Sequence, residues 1–262
     1  MKKSLVLIAF AVFALVGAEV FARFQVGLGD PPLTVRDPDI EYLFKPSRCY
    51  RRFGNDVCYN RWSMRSPEAD RFPILVLGDS VVNGGSLTDD SRLGTAILAR
   101  HLGVAVGNVS AGSWGPPNLL EYTERFGWFG AQSVIVVASS HDLDDIPTFS
   151  ATLGIDFPEE PPVAALWEAA RRYLPRYLPS SGGGPGAAAS AAGGERRAVP
   201  ALRSLLQSAS QNASRVILAY HPTRTELQTH DRTVVQEYEG LAGAPGHPAA
   251  GPVPTLHCRR LP

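Results

Sequence analysis

Short unbroken apolar runs, each ending in turn residues, alternate along the chain with segments of helical period. Residues 74–77 (ILVL) run directly into Gly78-Asp79-Ser80; residues 133–138 (SVIVVA) and 215–220 (RVILAY) largely repeat that design, and residues 104–109 (VAVGNV), interrupted by Gly107 and Asn108, read as a further strand. Such runs predict strands buried on both faces of a parallel sheet. Between them, residues 91–102 (SRLGTAILARHL) carry apolar positions at helical spacing behind a Ser91 cap. Residues 118–129, 161–178, 202–209 and 226–241 read as further helices. Strand, turn and helix in repetition predict an α/β fold with right-handed crossovers. A short strand over 253–258 would bring the sheet to about five strands.

Three stretches depart from this rhythm. Residues 5–18 are almost wholly apolar behind Lys2-Lys3, the pattern of an export signal, and Val16-Gly17-Ala18 suits cleavage after Ala18. The apolar character continues past Glu19 through Val20-Phe21-Ala22, which would instead keep the segment as an anchor, since about 20 apolar residues span a bilayer. Residues 25–70 contain Pro31, Pro32, Pro38 and Pro46 with no sustained period, and read as an extended lead-in. Residues 180–197 (SSGGGPGAAASAAGGERR) are of low complexity and read as a flexible surface insertion. The expected organisation is a signal peptide or membrane anchor over 1–24, the lead-in over 25–70 and one domain over 71–262.

Charge and cysteines narrow the setting. The formal net charge is zero and the basic residues, nearly all arginine, form no stripe, so binding to a nucleic-acid backbone is not expected. The Ala, Gly and Pro bias, with Arg far above Lys, points to a GC-rich bacterial genome. Export would place the domain in the periplasm, free or anchored to the inner membrane. In that oxidising compartment Cys49 and Cys58, which flank a hairpin-like stretch, can pair; the alternative is two free thiols.

Ser80 is the residue with chemistry to explain. It sits at the carboxyl end of a predicted strand, where open α/β sheets place their ligands. It can be a turn serine that bonds its own backbone. A phosphate cradle is the second reading, but no Walker pattern follows, and the lysines are Lys2, Lys3 and Lys45, all upstream. The third reading is a nucleophile. An α/β-hydrolase elbow would need glycine where Val82 stands.

Gly78-Asp79-Ser80 resembles the first sequence block of the SGNH (GDSL-type) hydrolases. Residues 108–115 and Ser139-Ser140-His141-Asp142 resemble the second and third blocks, in order. The resemblance implies a three-layer α/β/α, flavodoxin-like fold and a serine esterase or acyl hydrolase with Ser80 as nucleophile. It implies an oxyanion hole formed by backbone N–H groups at Gly112 or Ser113, with His141 in the place of the family's asparagine. A neutral imidazole still offers one N–H donor. His141 can instead serve as a base toward Ser80, or be a loop histidine bonded to Asp144 or Asp145.

The family's fourth block, Asp-x-x-His, has no counterpart. His247 has Ala244 where the acid belongs, and His221 and His257 are further candidates for the base. The expected substrate is a small-molecule or carbohydrate ester, such as an acetylated carbohydrate or a lipid, with the membrane as a partner through the N-terminal segment. Acyl transfer to an envelope polysaccharide, a catalytically dead envelope binding module and flavodoxin-like flavin binding are the alternatives. Neither a metal nor a cofactor is expected.

Overall fold

Leu75, Val76 and Leu77 are buried on both sides of strand β5 (Ile74–Gly78), as an unbroken apolar run requires. The computed structural model, which describes residues 2–149, 153–177 and 196–242, sets β5 inside a parallel four-stranded sheet. Its partners are β6 (Val106–Ser110), β7 (Ser133–Ala138) and β8 (Arg215–Tyr220), in the spatial order β6-β5-β7-β8. Gly78 pairs with Ser110, Leu77 with Val136 and Ala138 with Tyr220, so the carboxyl ends line up along one edge. Among the described residues the sheet has four strands and not about five; residues 253–258 lie outside them.

Helix α4 (Pro116–Phe126) packs on α6 (Val199–Asn212) and on β5, while α3 (Gly94–Leu102) lies on β6. Leu202, Leu205 and Leu206 of α6 join Leu75, Val134 and Leu143 in the main core. Each such side chain contributes about 2 kcal/mol of transfer free energy.

Several predicted boundaries move, each for a local reason. Ser91 does not cap α3. Its hydroxyl and its N–H both bond the Asp89 carboxylate, which caps a separate 3-10 turn, Asp90–Arg92. The segment expected over 161–178 begins as a helix only at Ala165: α5 (Ala165–Glu168) passes into a π turn and then a 3-10 turn ending at Tyr177. The last predicted helix is two: α7 (Arg224–Thr229), opened by a Thr223–Glu226 capping box, and α8 (Thr233–Ala242). His230, at φ 54, breaks the run between them. The low-complexity insertion lies outside the described residues except for Arg196 and Arg197.

The lead-in is more ordered than its composition suggests. It holds two antiparallel hairpins, β1 (Thr34–Asp37) with β2 (Glu41–Phe44) and β3 (Arg48–Arg52) with β4 (Asn55–Tyr59). The second turns at Phe53-Gly54, both at positive φ, the backbone that matches strand twist in a two-residue loop. Cys49 and Cys58 face each other across it, 4.0 Å apart at Cα, and form the disulfide. These strands escape period reading because they are four or five residues long and bury polar groups. Arg52 is fully buried, paired with Glu168 of α5.

Lys2–Phe21 forms α1, and Lys3–Val26 is long and apolar enough to cross a membrane. Its side chains project outward and are almost entirely uncovered.

Candidate functional site

The turn after β5 is built around two small residues. A Cβ on Gly78 would sit 2.4 Å from a Val82 methyl, so only glycine lets the single helical turn α2 (Ser80–Asn83) fold back onto the strand end. Asp79, buried, caps that turn by accepting from the Val81 N–H at 2.9 Å. Gly84, at φ 73, closes it. Ser80 is then the first helical residue and is exposed, and its hydroxyl has no hydrogen-bond partner among the described residues.

Buried polar contacts fix this turn to the next strand. Asn83 donates to Ser110 O at 2.9 Å, and Asn108 donates to Val82 O at 3.0 Å. Behind them Arg65, fully buried, reaches the Asp90 carboxylate at 2.8 Å and the carbonyls of Asn83, Gly85 and Thr88 at 2.5 to 2.6 Å. One guanidinium thus holds three carbonyls around the loop after α2, and Asn55 donates to a fourth, Ser86 O.

The second block begins inside β6 and runs past its carboxyl end. Gly112 accepts from the Tyr42 hydroxyl, and its open side faces the Phe157 ring, 3.1 Å from where a Cβ would sit. Ser113 is exposed and stands at φ 60. Gly115 is required by close approach, because a Cβ there would lie 2.5 Å from Asp145 O.

The third block is a 3-10 turn, Ser140–Leu143, after β7. His141 projects from it and points its Nε2 at the Asp79 carboxylate, 3.0 Å away, with Asp142 Oδ1 at 3.7 Å. The hydrogen bond to Asp79 raises the imidazole to about 9, with the charges of Asp142, Asp79 and Asp145 adding to the effect. Burial pushes the Asp142 carboxyl up to about 7, even though it accepts from the Ser139 N–H at 2.5 Å. Burial likewise raises Asp145.

The loop-histidine expectation is corrected in its partner. Asp144 pairs with Arg196, and His141 binds Asp79, the residue beside Ser80, across the strand gap. A base role for His141 toward Ser80 is disfavoured at neutral pH, where the ring is protonated and its Nε2 is committed to Asp79.

The topology gathers Ser80, Gly112, Ser113 and His141 onto loops that leave three adjacent strands at one edge. His221 follows β8, one strand beyond β7, its N–H bonded to Ala138 O at 2.8 Å. That puts it roughly 10 Å from the β5 line, at about 4.8 Å per strand. His247 and His257 lie outside the described residues. Arg65 and Asn83 organise the site with no motif to mark them, and Asp79, visible within Gly78-Asp79-Ser80, has a capping and histidine-pairing role that the block alone does not state.

Ligand atoms of Asp79, His141 and Asp142 lie within 4.8 Å of one another. The hydrogen bond between His141 and Asp79 accounts for that closeness without a cation. Compared with known proteins, the chain matches no family model and no curated sequence.

Proposed function

We propose that the chain is an exported, membrane-proximal serine hydrolase of SGNH type, with a three-layer flavodoxin-like domain, that forms an acyl-enzyme at Ser80. The observation that carries this reading is the switch in strand order. β6 lies to one side of β5 and β7 to the other, and open α/β sheets bind ligands at the crevice where the order reverses. Ser80 follows one strand of that crevice and His141 the other, and the serine hydroxyl is exposed.

In the proposed reaction Ser80 gives its proton to solvent hydroxide and its Oγ bonds to an ester carbonyl carbon. The C–O bond to the alcohol breaks, the leaving oxygen takes a proton from water, and a second water later hydrolyses the acyl-serine to the acid and free serine. Backbone N–H groups at Ser80 and at Gly112 or Ser113 would hold the oxyanion. Protonated His141 is a donor suited to the same task, since its Nδ1–H is uncommitted by the Asp79 bond. Removal of one such donor typically costs about a hundredfold to a thousandfold in turnover.

A fluorophosphonate probe tests the proposal. The purified chain should form a covalent adduct that is lost in Ser80→Ala, and labelling should speed up as pH rises, because no described histidine is placed to take the serine proton near neutrality. An unlabelled but folded wild type would favour a binding module using the same crevice. The commitment of His141 to Asp79 is the observation that speaks for that second reading.

A further inference from the structure

The end of α1 is sewn into the folded domain. Past Phe21 the chain makes a π turn, Ala22–Val26, and leaves it at Gly27 with φ 80. Phe53 donates its N–H to Val26 O at 2.8 Å, the Arg52 guanidinium bonds Gly27 O, and a Cβ at residue 27 would meet Arg51 O at 2.1 Å. Glu19, still inside the apolar helix, turns its carboxylate to the start of α5. Its two oxygens accept from the N–H groups of Ala165 and Leu166, at 2.8 and 2.9 Å. The first turn of α5 thereby takes its missing partners from α1. Ala22, Leu28 and Ala165 form a small core of their own at this junction. The direction of residues 165–177 relative to α1 is therefore fixed by specific contacts.

Those residues have two faces. Ala165 and Glu168 are buried, the latter against Arg52. Outward lie Trp167, Leu174 and Tyr177 (85% exposed), with Val163 (89%) just before α5, and the Arg171 guanidinium is 5.5 Å from the Trp167 ring centre. A run of large apolar side chains facing outward marks an interaction surface, not an ordinary solvated face. Tryptophan and tyrosine beside arginine are the residues that settle at the headgroup level of a bilayer. Val20 and Phe21 at the end of α1, and Phe24 in the π turn that follows, are also exposed.

We propose that α1 is retained as a transmembrane anchor and that the face formed by Val163, Trp167, Leu174 and Tyr177 lies in the interfacial layer of the same bilayer, Glu19 holding the two at a fixed angle. The occupant of the face is lipid because the helix that orients it is the one built to cross the membrane. The inference rests on the anchor reading of α1 and is independent of any chemistry at Ser80.

The test uses the full chain in vesicles of phosphatidylcholine brominated on its acyl chains, compared with the unbrominated lipid. Of four tryptophans, Trp114 is buried and Trp62 and Trp128 are packed against the main core. Bromine should therefore quench about a quarter of the emission, one tryptophan's share, and Trp167→Phe should abolish that loss. Glu19→Ala should lower the quenching while leaving the chain membrane-bound in a carbonate wash. Equal quenching in the parent and Trp167→Phe, with the chain retained after carbonate, would overturn the interfacial face alone. Release by carbonate, or a mature chain that starts at Glu19, would overturn the anchor and the inference with it.

Discussion

Asp79→Asn isolates the charge that the site is built around. Asparagine keeps a side-chain oxygen for the Val81 N–H and is as good an N-cap, so α2 should survive. What disappears is the carboxylate 3.0 Å from His141 Nε2. The imidazole stands at about 9 against an ordinary 6.5. That interval corresponds to about 3 kcal/mol for a fully desolvated pair. Screening at a side chain 53% exposed reduces it to about 1 kcal/mol. A raised histidine stabilises the fold fully below pH 6.5, and the contribution fades as pH climbs through about 9.

The parent should therefore exceed Asp79→Asn by about 1 kcal/mol in urea unfolding at pH 6, and the two should converge above pH 9. NMR titration of the imidazole carbons, assigned with a His141→Gln control, should show the parent midpoint near 9 and the variant shifted back toward 6.5. A parent midpoint near 6.5, or one that Asp79→Asn leaves in place, refutes the pairing and with it the argument that His141 is a donor and not a base.

Three other outcomes follow from neighbouring groups. Arg65→Met removes a buried guanidinium that serves Asp90 and three loop carbonyls, and should cost about 3–5 kcal/mol in chemical denaturation while depressing fluorophosphonate labelling. The double variant Cys49→Ser/Cys58→Ser opens a loop of sequence separation 9 and should cost about 2–3 kcal/mol, a loss that reductant reproduces in the parent. Asp142→Asn keeps an acceptor for the Ser139 N–H but removes a carboxylate that burial raises to about 7. Because a raised acid destabilises the fold as pH passes from 3.8 to about 7, this variant should gain on the parent across that window in pH-dependent melting and keep its lead above it.

The sheet was readable where burial acts on a whole apolar run. Residues 133–138 and 215–220 have the strand bounds expected of them, because each run is apolar after its first residue; β7 alternates buried and half-buried positions, while β8, at the sheet edge, has no fully buried residue. α6 was legible for the matching reason, with Leu202, Leu205, Leu206 and Ala209 setting a helical stripe. The hairpins at 34–59 were not, apart from the turn between Cys49 and Cys58, because their buried positions include Thr34, Glu41, Arg52 and Asn55, whose polarity hides the period. Only tertiary contacts could bury such groups, each beside its own partner.

The candidate site divides in the same way. Local sequence settled that a serine stands on a glycine-bounded turn after a strand, because Gly78 and Gly84 are demanded by sterics within a few residues. Which side chain meets which was decided by the strand order. Placing β7 beside β5 brings His141 to Asp79 across 62 residues, and nothing in either neighbourhood alone fixes that pairing. Likewise the capping of α5 by Glu19 spans 146 residues. Short-range sterics and burial write themselves into composition and spacing, whereas a hydrogen bond between distant residues depends on where the sheet puts them.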